Sequence, residues 1–290
     1  MMELILQALY SGMLVGGAYA LVALGLALVF GTMKIINLAH GELVLLAAYI
    51  AYAAETRLQL NPLLAIPLAL AVVCIGSALV YLLVDRIRQE RELNSLILSY
   101  GIGIMLTNAI LLIWKADVRS SANAWFQQAL VLGPLYSMNS EALFFCISLA
   151  LIGAVWLWLG RSWHGRALRA VAGNREAAKL MGVNPRKTEL ASFLLSGALA
   201  TCAGVAIYSS GVIQPAMGHS LTVKAFVITV LAGTGSIPGV LLGALLLGIA
   251  ESLTVTLFSS ALQELAGMLL FLLVLFLMPN GLFGVKGRRG

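Results

Sequence analysis

Residues 4–30 carry no charged side chain, and apolar runs of similar length recur at 37–54, 62–84, 95–114, 142–160, 190–211 and 262–278. About 20 apolar residues in a helix cross the roughly 30 Å hydrocarbon core of a bilayer, so each run has the length of one span. Backbone amides inside a bilayer have no water to bond, and a helix pairs them within one segment. With 61% hydrophobic and 10% charged residues and a mean hydropathy of +0.98, these side chains exceed what the interior of a water-soluble globule holds. The expectation is an all-α, polytopic membrane protein: one transmembrane domain over 1–290 with about eight membrane segments, one of them broken or re-entrant. The first run carries Gly12, Gly16 and Ala20 at four-residue spacing, a face that lets another helix approach closely. The N-terminal segment is acidic and lacks a small-residue cleavage site, so this run is expected to be retained as a span.

The segment 222–257 departs from the pattern. It is too long for one crossing and is interrupted by Gly233-Thr234-Gly235-Ser236-Ile237-Pro238-Gly239. Glycine favours turns and proline lacks the N–H a helix needs, which predicts a half-helix, a turn inside the membrane and a full helix. Irregular backbone at membrane depth is tolerated where it lines a cavity or is buried in protein, so Gly233, Thr234, Gly235, Ser236 and Gly239 are candidates for a substrate pathway. A second polar interruption opens the run at 37–54, where Asn37, His40 and Glu42 stand in an apolar context. Two such interruptions, one in each half, are the pattern of internally repeated transporters with a midplane site.

Ionisable groups in a membrane segment cost about 2.5 to 3.5 kcal/mol on insertion scales and therefore face the bundle interior, water or the headgroups. Glu42 has both readings open, as polar lining or as an interfacial residue. Glu251 is placed deeper in its span, either in the pathway or in a helix–helix hydrogen bond. Lys224 is read as snorkelling to the outer interface. His40 and Glu42 form an H-x-E without a matching cysteine pair, and no metal site is expected. Cys74, Cys146 and Cys202 lie singly in apolar segments. No nucleophile constellation and no G-x-x-x-x-G-K-[ST] loop occurs, so the chain is expected neither to catalyse a reaction nor to hydrolyse ATP.

Charge orients the spans. The net charge of +6 and pI near 9.4 come from residues in the loops, without any nucleic-acid-binding motif, so the predicted partner is the lipid bilayer and not nucleic acid. Arg86, Arg88 and Arg91, the basic residues of 161–187, and Lys286, Arg288 and Arg289 are expected on the cytoplasmic side. The N-terminus and 115–141 are expected outside, which requires 222–257 to enter and leave on one side.

Seven of the 18 Lys and Arg fall in 161–187. Within it Asn174 is a good N-cap, Glu176 stands in the first turn where the helix dipole favours an anion, Gly182 is a C′ stop, and Pro185 follows. This spacing predicts a helix of about two turns, roughly 10 Å long, in a basic loop: a rigid knob suited to docking.

Glu176, Ala177, Ala178 and Gly182 resemble the E-A-A-x3-G core of the loop shared by ABC-transporter permeases, although the Leu-Pro half of that motif is missing. The motifs Gly16-Gly-Ala-Tyr-Ala-Leu, Asn37-Leu-Ala-His-Gly-Glu, Gly165-Arg-Ala-Leu-Arg-Ala, Met181-Gly-Val-Asn-Pro, Gly235-Ser-Ile-Pro-Gly and the closing Met278-Pro-Asn-Gly are similar, in order, to the branched-chain amino acid ABC-transporter permease family. Leu38 departs from it, standing where an aromatic is common. The resemblance implies a bacterial inner-membrane importer subunit working with a second homologous permease, two ATP-binding subunits and a periplasmic substrate-binding protein. ATP and Mg would bind the ATPase subunits, leaving this chain without a cofactor. It also implies that Arg175, Glu176, Ala177, Ala178, Lys179 and Gly182 form the ATPase-coupling element. The cargo is expected to be branched-chain or related hydrophobic amino acids, with a small amide such as urea, or an ion-coupled secondary carrier, as alternatives.

Overall fold

The small-residue face of the first apolar run packs against the last third of the chain. In the computed structural model, which describes residues 1–233, 235–278 and 281–283, helix α1 (Met2–Met33) lies antiparallel to a helix over Ile237–Leu257. A Cβ added at Gly12 would come within 2.6 Å of the Ile249 Cα, and one at Gly16 within 2.9 Å of the Leu245 Cα, so glycine is what allows this approach. Thr234, the expected Pro279-Asn280 stop and the basic tail fall outside the described residues.

After α1 ends at Lys34, in left-handed conformation (φ 58°), the chain turns back into α2 (His40–Leu58). A 3₁₀ turn over Pro62–Ala65, capped by Asn61, leads into α3 (Ile66–Asp85), and α4 (Arg91–Trp114) returns. The following loop holds β1 (Arg119–Ser120), the one-turn α5 (Ala124–Gln127) and the hairpin of β2 (Ala129–Leu132) and β3 (Leu135–Met138). Next come α6 (Asn139–Arg161), α7 (Trp163–Gly173), the short α8 (Arg175–Leu180) and the long α9 (Pro185–Ser210). Strand β4 (Val212–Ile213) pairs antiparallel with β1, and α10 (Met217–Ala232), α11 (Ile237–Leu257) and α12 (Gln263–Leu277) complete the bundle. Among the described residues seven helices have span length and composition, and α2, over the expected span at 37–54, is not one of them. The expected broken segment resolves into α10 and α11, the former being a shorter apolar helix.

Burial sorts these helices. The apolar windows of α1 and α9 are each 61% buried, whereas those of α4 and α12 are 17% and 6% buried. α1 and α9 therefore form the centre, and the exposed leucines of α12 and α4 face outward as lipid-facing residues do.

Helix ends lie several residues from the apolar run ends because caps set them. α9 starts at Pro185, five residues before its run, where Asn184 Oδ1 accepts from the Lys187 N–H at 3.2 Å. α6 starts at Asn139 because Glu141 Oε2 reaches back to the Met138 N–H at 2.8 Å. α10 begins at Met217, not near residue 222, without a side-chain cap.

The two ends of the bundle differ in chemistry. At one end Glu55 on α2 accepts from Ser121 Oγ at 3.0 Å, from the Ala122 N–H at 3.1 Å and from the Tyr208 hydroxyl, fastening the β1–α5 loop. The hairpin is tied to α1 by Gln7, which bonds both the carbonyl (2.8 Å) and the N–H (3.0 Å) of Tyr136. The opposite end gathers Arg91, Arg175 and Arg186 around the carboxylates Asp85 and Glu189.

Candidate functional site

Helix α8 is built by its own sequence. Asn174 Oδ1 accepts from the Glu176 N–H at 3.1 Å and the Ala177 N–H at 2.9 Å, two of the amides left free at a helix start. At the other end Gly182 has φ +82°, its N–H bonds the Lys179 carbonyl at 3.1 Å, and the Val183 N–H bonds the Ala178 carbonyl at 3.0 Å, which is a Schellman stop. Ala178 is buried, while Glu176, Ala177 and Lys179 are exposed. Leu180 and Met181, 88% and 84% exposed, form an apolar tip that the caps alone do not announce.

Arg175 anchors α8 to the spans. Its Nε donates to Glu189 Oε1 at 2.7 Å, and this bond holds the guanidinium above its ordinary pKa. Glu189, 1% exposed on α9, also takes Arg91 Nη2 from α4 at 3.3 Å and the Tyr81 hydroxyl from α3 at 3.4 Å. The sequence reading missed Glu189, whose signal was a carboxylate at the mouth of a span a few residues from a basic knob.

Asn37, His40 and Glu42 lie where α2 begins. Asn37 Oδ1 accepts from the Ala39 N–H at 3.1 Å. His40 Nε2 lies 2.8 Å from the Val22 carbonyl and Nδ1 3.4 Å from Ser196 Oγ, both midway along their helices, so α2 starts deep in the bundle. α10 starts at the same level: the Gly41 N–H donates to Thr222 Oγ1 at 2.8 Å, and the Gly218 carbonyl approaches Gly41 so closely that Gly41 has no room for a side chain. Glu42, 4% exposed, turns away from His40 toward Gly103 and Gly218, and its Oε2 has no hydrogen-bond partner.

The turn 233–239 sits at the basic end of the bundle, not at mid-depth. Gly235 and Ser236 share a cavity of about 160 Å³ with Leu159, Gly165 and Arg169 at the α6–α7 corner. Gly233 (φ +81°) and Gly235 (φ +84°) make the reversal, and Ser236 Oγ caps α11 by accepting from the Gly239 N–H at 3.1 Å. The Leu282 N–H donates to the Leu231 carbonyl at 2.7 Å and the Phe283 N–H to that of Ala232 at 3.3 Å, closing a strap over the end of α10. The break at membrane depth that the sequence reading assigned to this turn is found instead where α2 and α10 begin.

Toward the hairpin end, α1, α6, α9 and α10 enclose an open cavity of about 490 Å³, within the range of small-molecule sites. Phe144, Phe145 and Ile207 give it an apolar wall, with Lys224, Gln214 and Glu264 among its polar groups. Lys224 is not at an interface: its Nζ is 2.8 Å from Glu251 Oε2 on α11, and the two side chains are 15% and 2% exposed. Tyr19 and Gln263 complete this cluster. Tyr19 lies in the motif Gly16-Gly-Ala-Tyr-Ala-Leu, which was its sequence signal.

A family model described as "Branched-chain amino acid transport system / permease component" matches residues 8–278. The chain belongs to this permease family. It is 34% identical over 297 residues to the high-affinity branched-chain amino acid transport system permease protein BraD of Pseudomonas aeruginosa, covering 96% of this chain and 95% of the relative. The permease LivH of Escherichia coli K12 is 30% identical over 295 residues, at 96% and 95% coverage. A probable LivH of Methanocaldococcus jannaschii is 29% identical over 308 residues, at 100% and 98%. The permease is thus an all-α, multi-pass transport component of the inner membrane and not an enzyme.

Proposed function

We propose that this permease imports amino acids with branched or other apolar side chains, as one of two homologous membrane subunits served by two ATP-binding subunits and a periplasmic substrate-binding protein. The observation that carries the cargo class is the 490 Å³ cavity, which sets an ammonium and carboxylates beside an aromatic and aliphatic wall. A zwitterion needs partners of both signs, and a branched aliphatic side chain needs an apolar surface. The printed names of the relatives agree with this cargo.

In this reading α8 is the coupling element. Arg175, Glu176, Ala177, Ala178, Lys179 and Gly182 present the Leu180–Met181 tip to a cleft on an ATP-binding subunit, where ATP and Mg are bound. Asn37, His40, Glu42 and the 233–239 turn shape the route by placing α2, α10 and α11, and Glu251 meets the cargo. The experiment is uptake by the full complex in proteoliposomes, with leucine and urea offered separately. ATP-dependent leucine accumulation is expected. Urea accumulation alone, or leucine uptake driven by an ion gradient without ATP, would replace this reading.

A further inference from the structure

The polar cluster of Tyr19, Lys224, Glu251 and Gln263 beside the large cavity has lopsided hydrogen bonding. Glu251 Oε2 accepts from Lys224 Nζ at 2.8 Å, from the Tyr19 hydroxyl at 2.9 Å and from Gln263 Nε2 at 2.9 Å, while Glu251 Oε1 has no partner. A carboxylate oxygen left idle in a side chain 2% exposed is costly, and the three donors leave that cost in place by converging on the other oxygen. The idle oxygen points to Gly267 on α12, where an added Cβ would stand 3.4 Å from it. Glu251 borders not the large cavity but a second one, of about 140 Å³, and Ser220, Lys224 and Glu264 line both. Lys224 therefore stands between the two cavities, and Glu251 faces the smaller one.

We infer that Lys224 and Glu251 are the recognition pair for the charged head of an amino-acid cargo. Resting on the cargo class proposed above, the inference assigns the cargo carboxylate to Lys224 Nζ and its α-ammonium to Glu251 Oε1. The cargo thus reaches across Lys224, which lines both cavities, with its ammonium in the smaller one and its apolar side chain in the larger, toward Phe144, Phe145 and Ile207. Before cargo arrives the two residues neutralise each other. On binding, the Lys224–Glu251 contact is exchanged for two contacts of the same kind with the zwitterion, so no charge is left bare in the apolar interior at either stage. Tyr19 and Gln263 hold Glu251 while Lys224 swings. Because Lys224 is on α10 and Glu251 on α11, the exchange loosens the contact between the two helices that meet at the 233–239 turn.

A purely architectural ion pair and a recognition pair respond differently to paired neutral substitution. Removing one buried partner strands the other, whereas removing both leaves nothing stranded and is often tolerated. The test is ATP-driven uptake of radiolabelled leucine by the full complex in proteoliposomes, comparing wild type, Lys224→Gln, Glu251→Gln and the double variant. Membrane level and retention of the ATP-binding subunits are measured alongside. The double variant is expected to assemble at the wild-type level yet to lose uptake about tenfold or more, the scale of a lost charged hydrogen bond. Lys224→Arg is expected to keep most of the uptake. A double variant that assembles and imports leucine at the wild-type rate overturns the inference and leaves the cargo class standing. Absence of ATP-driven leucine uptake by wild type overturns the cargo class, and the inference with it.

Discussion

At the scale of single residues, the buried Gly239 and the exposed Gly160 have opposite tolerance. A Cβ at Gly239 would fall 2.7 Å from the Ala232 carbonyl, while one at Gly160 would meet nothing within 4 Å. Gly239→Leu is therefore expected to reduce uptake at matched membrane levels, through overpacking of about 1–3 kcal/mol, and Gly160→Leu to leave it unchanged. Glu189 offers a second case. Its replacement by Gln leaves Arg91 and Arg175 facing a neutral amide, and since these arginines are 26% and 39% exposed the loss should be about 1–3 kcal/mol, less than for a fully buried pair. A lowered melting temperature together with a lower ratio of transport to ATP hydrolysis is expected for Glu189→Gln. A change in stability alone would make Glu189 a local brace without a part in transmission. These residues were only partly legible in the sequence. A cap such as Asn174 acts on its own neighbours and can be read from spacing, but the meeting of Lys224 with Glu251 depends on how two helices face each other.

Among the elements, α8 shows what local sequence can specify. Its two caps and its length of six residues need no tertiary contact to be anticipated, and Arg175 then fixes the finished helix to α9. A Gly182→Val change puts a β-branched residue at φ +82°, at a cost of about 1–3 kcal/mol, small for the bundle but large for a two-turn helix. Glu176→Lys places a cation at the helix start, where the dipole opposes it. Both variants are expected to reach the membrane and to co-purify less ATP-binding subunit, with uptake falling in proportion. Full retention of those subunits and of uptake would reduce α8 to a solvated loop. The ends of α10 were less legible, because its start is set by the approach to Gly41 and its finish by a strap from the distant 282–283 segment. Neither contact leaves a trace in local periodicity.

For the whole molecule, the order of the helices follows from hydropathy, but depth does not. Hydropathy registers how long a helix is and not where along the bilayer normal it starts, so the polar opening of α2 and the half-helix α10 are legible as interruptions, while their common start midway along α1 and α9 is not. Direction is more accessible, because α9 and α4 begin, and α3 and α6 end, among the arginines, opposite the hairpin. In a background with Cys74, Cys146 and Cys202 replaced, a cysteine at Gln128 is expected to react with an impermeant reagent in intact cells, and one at Arg166 only after permeabilisation. The reverse pattern would invert the bundle.

The strap over α10 also bears on how the chain is made. The carbonyls of Leu231 and Ala232 end a helix and receive their donors from Leu282 and Phe283. Those donors are synthesised about 50 residues later, roughly 3 to 10 s behind at typical elongation rates. During that interval the reversal between α10 and α11 is incomplete, and the nascent permease is most open to quality-control proteases after its spans have been inserted. A chain stopped after Met278 should accordingly reach the membrane and be degraded faster than the full-length protein, as pulse-chase labelling would show.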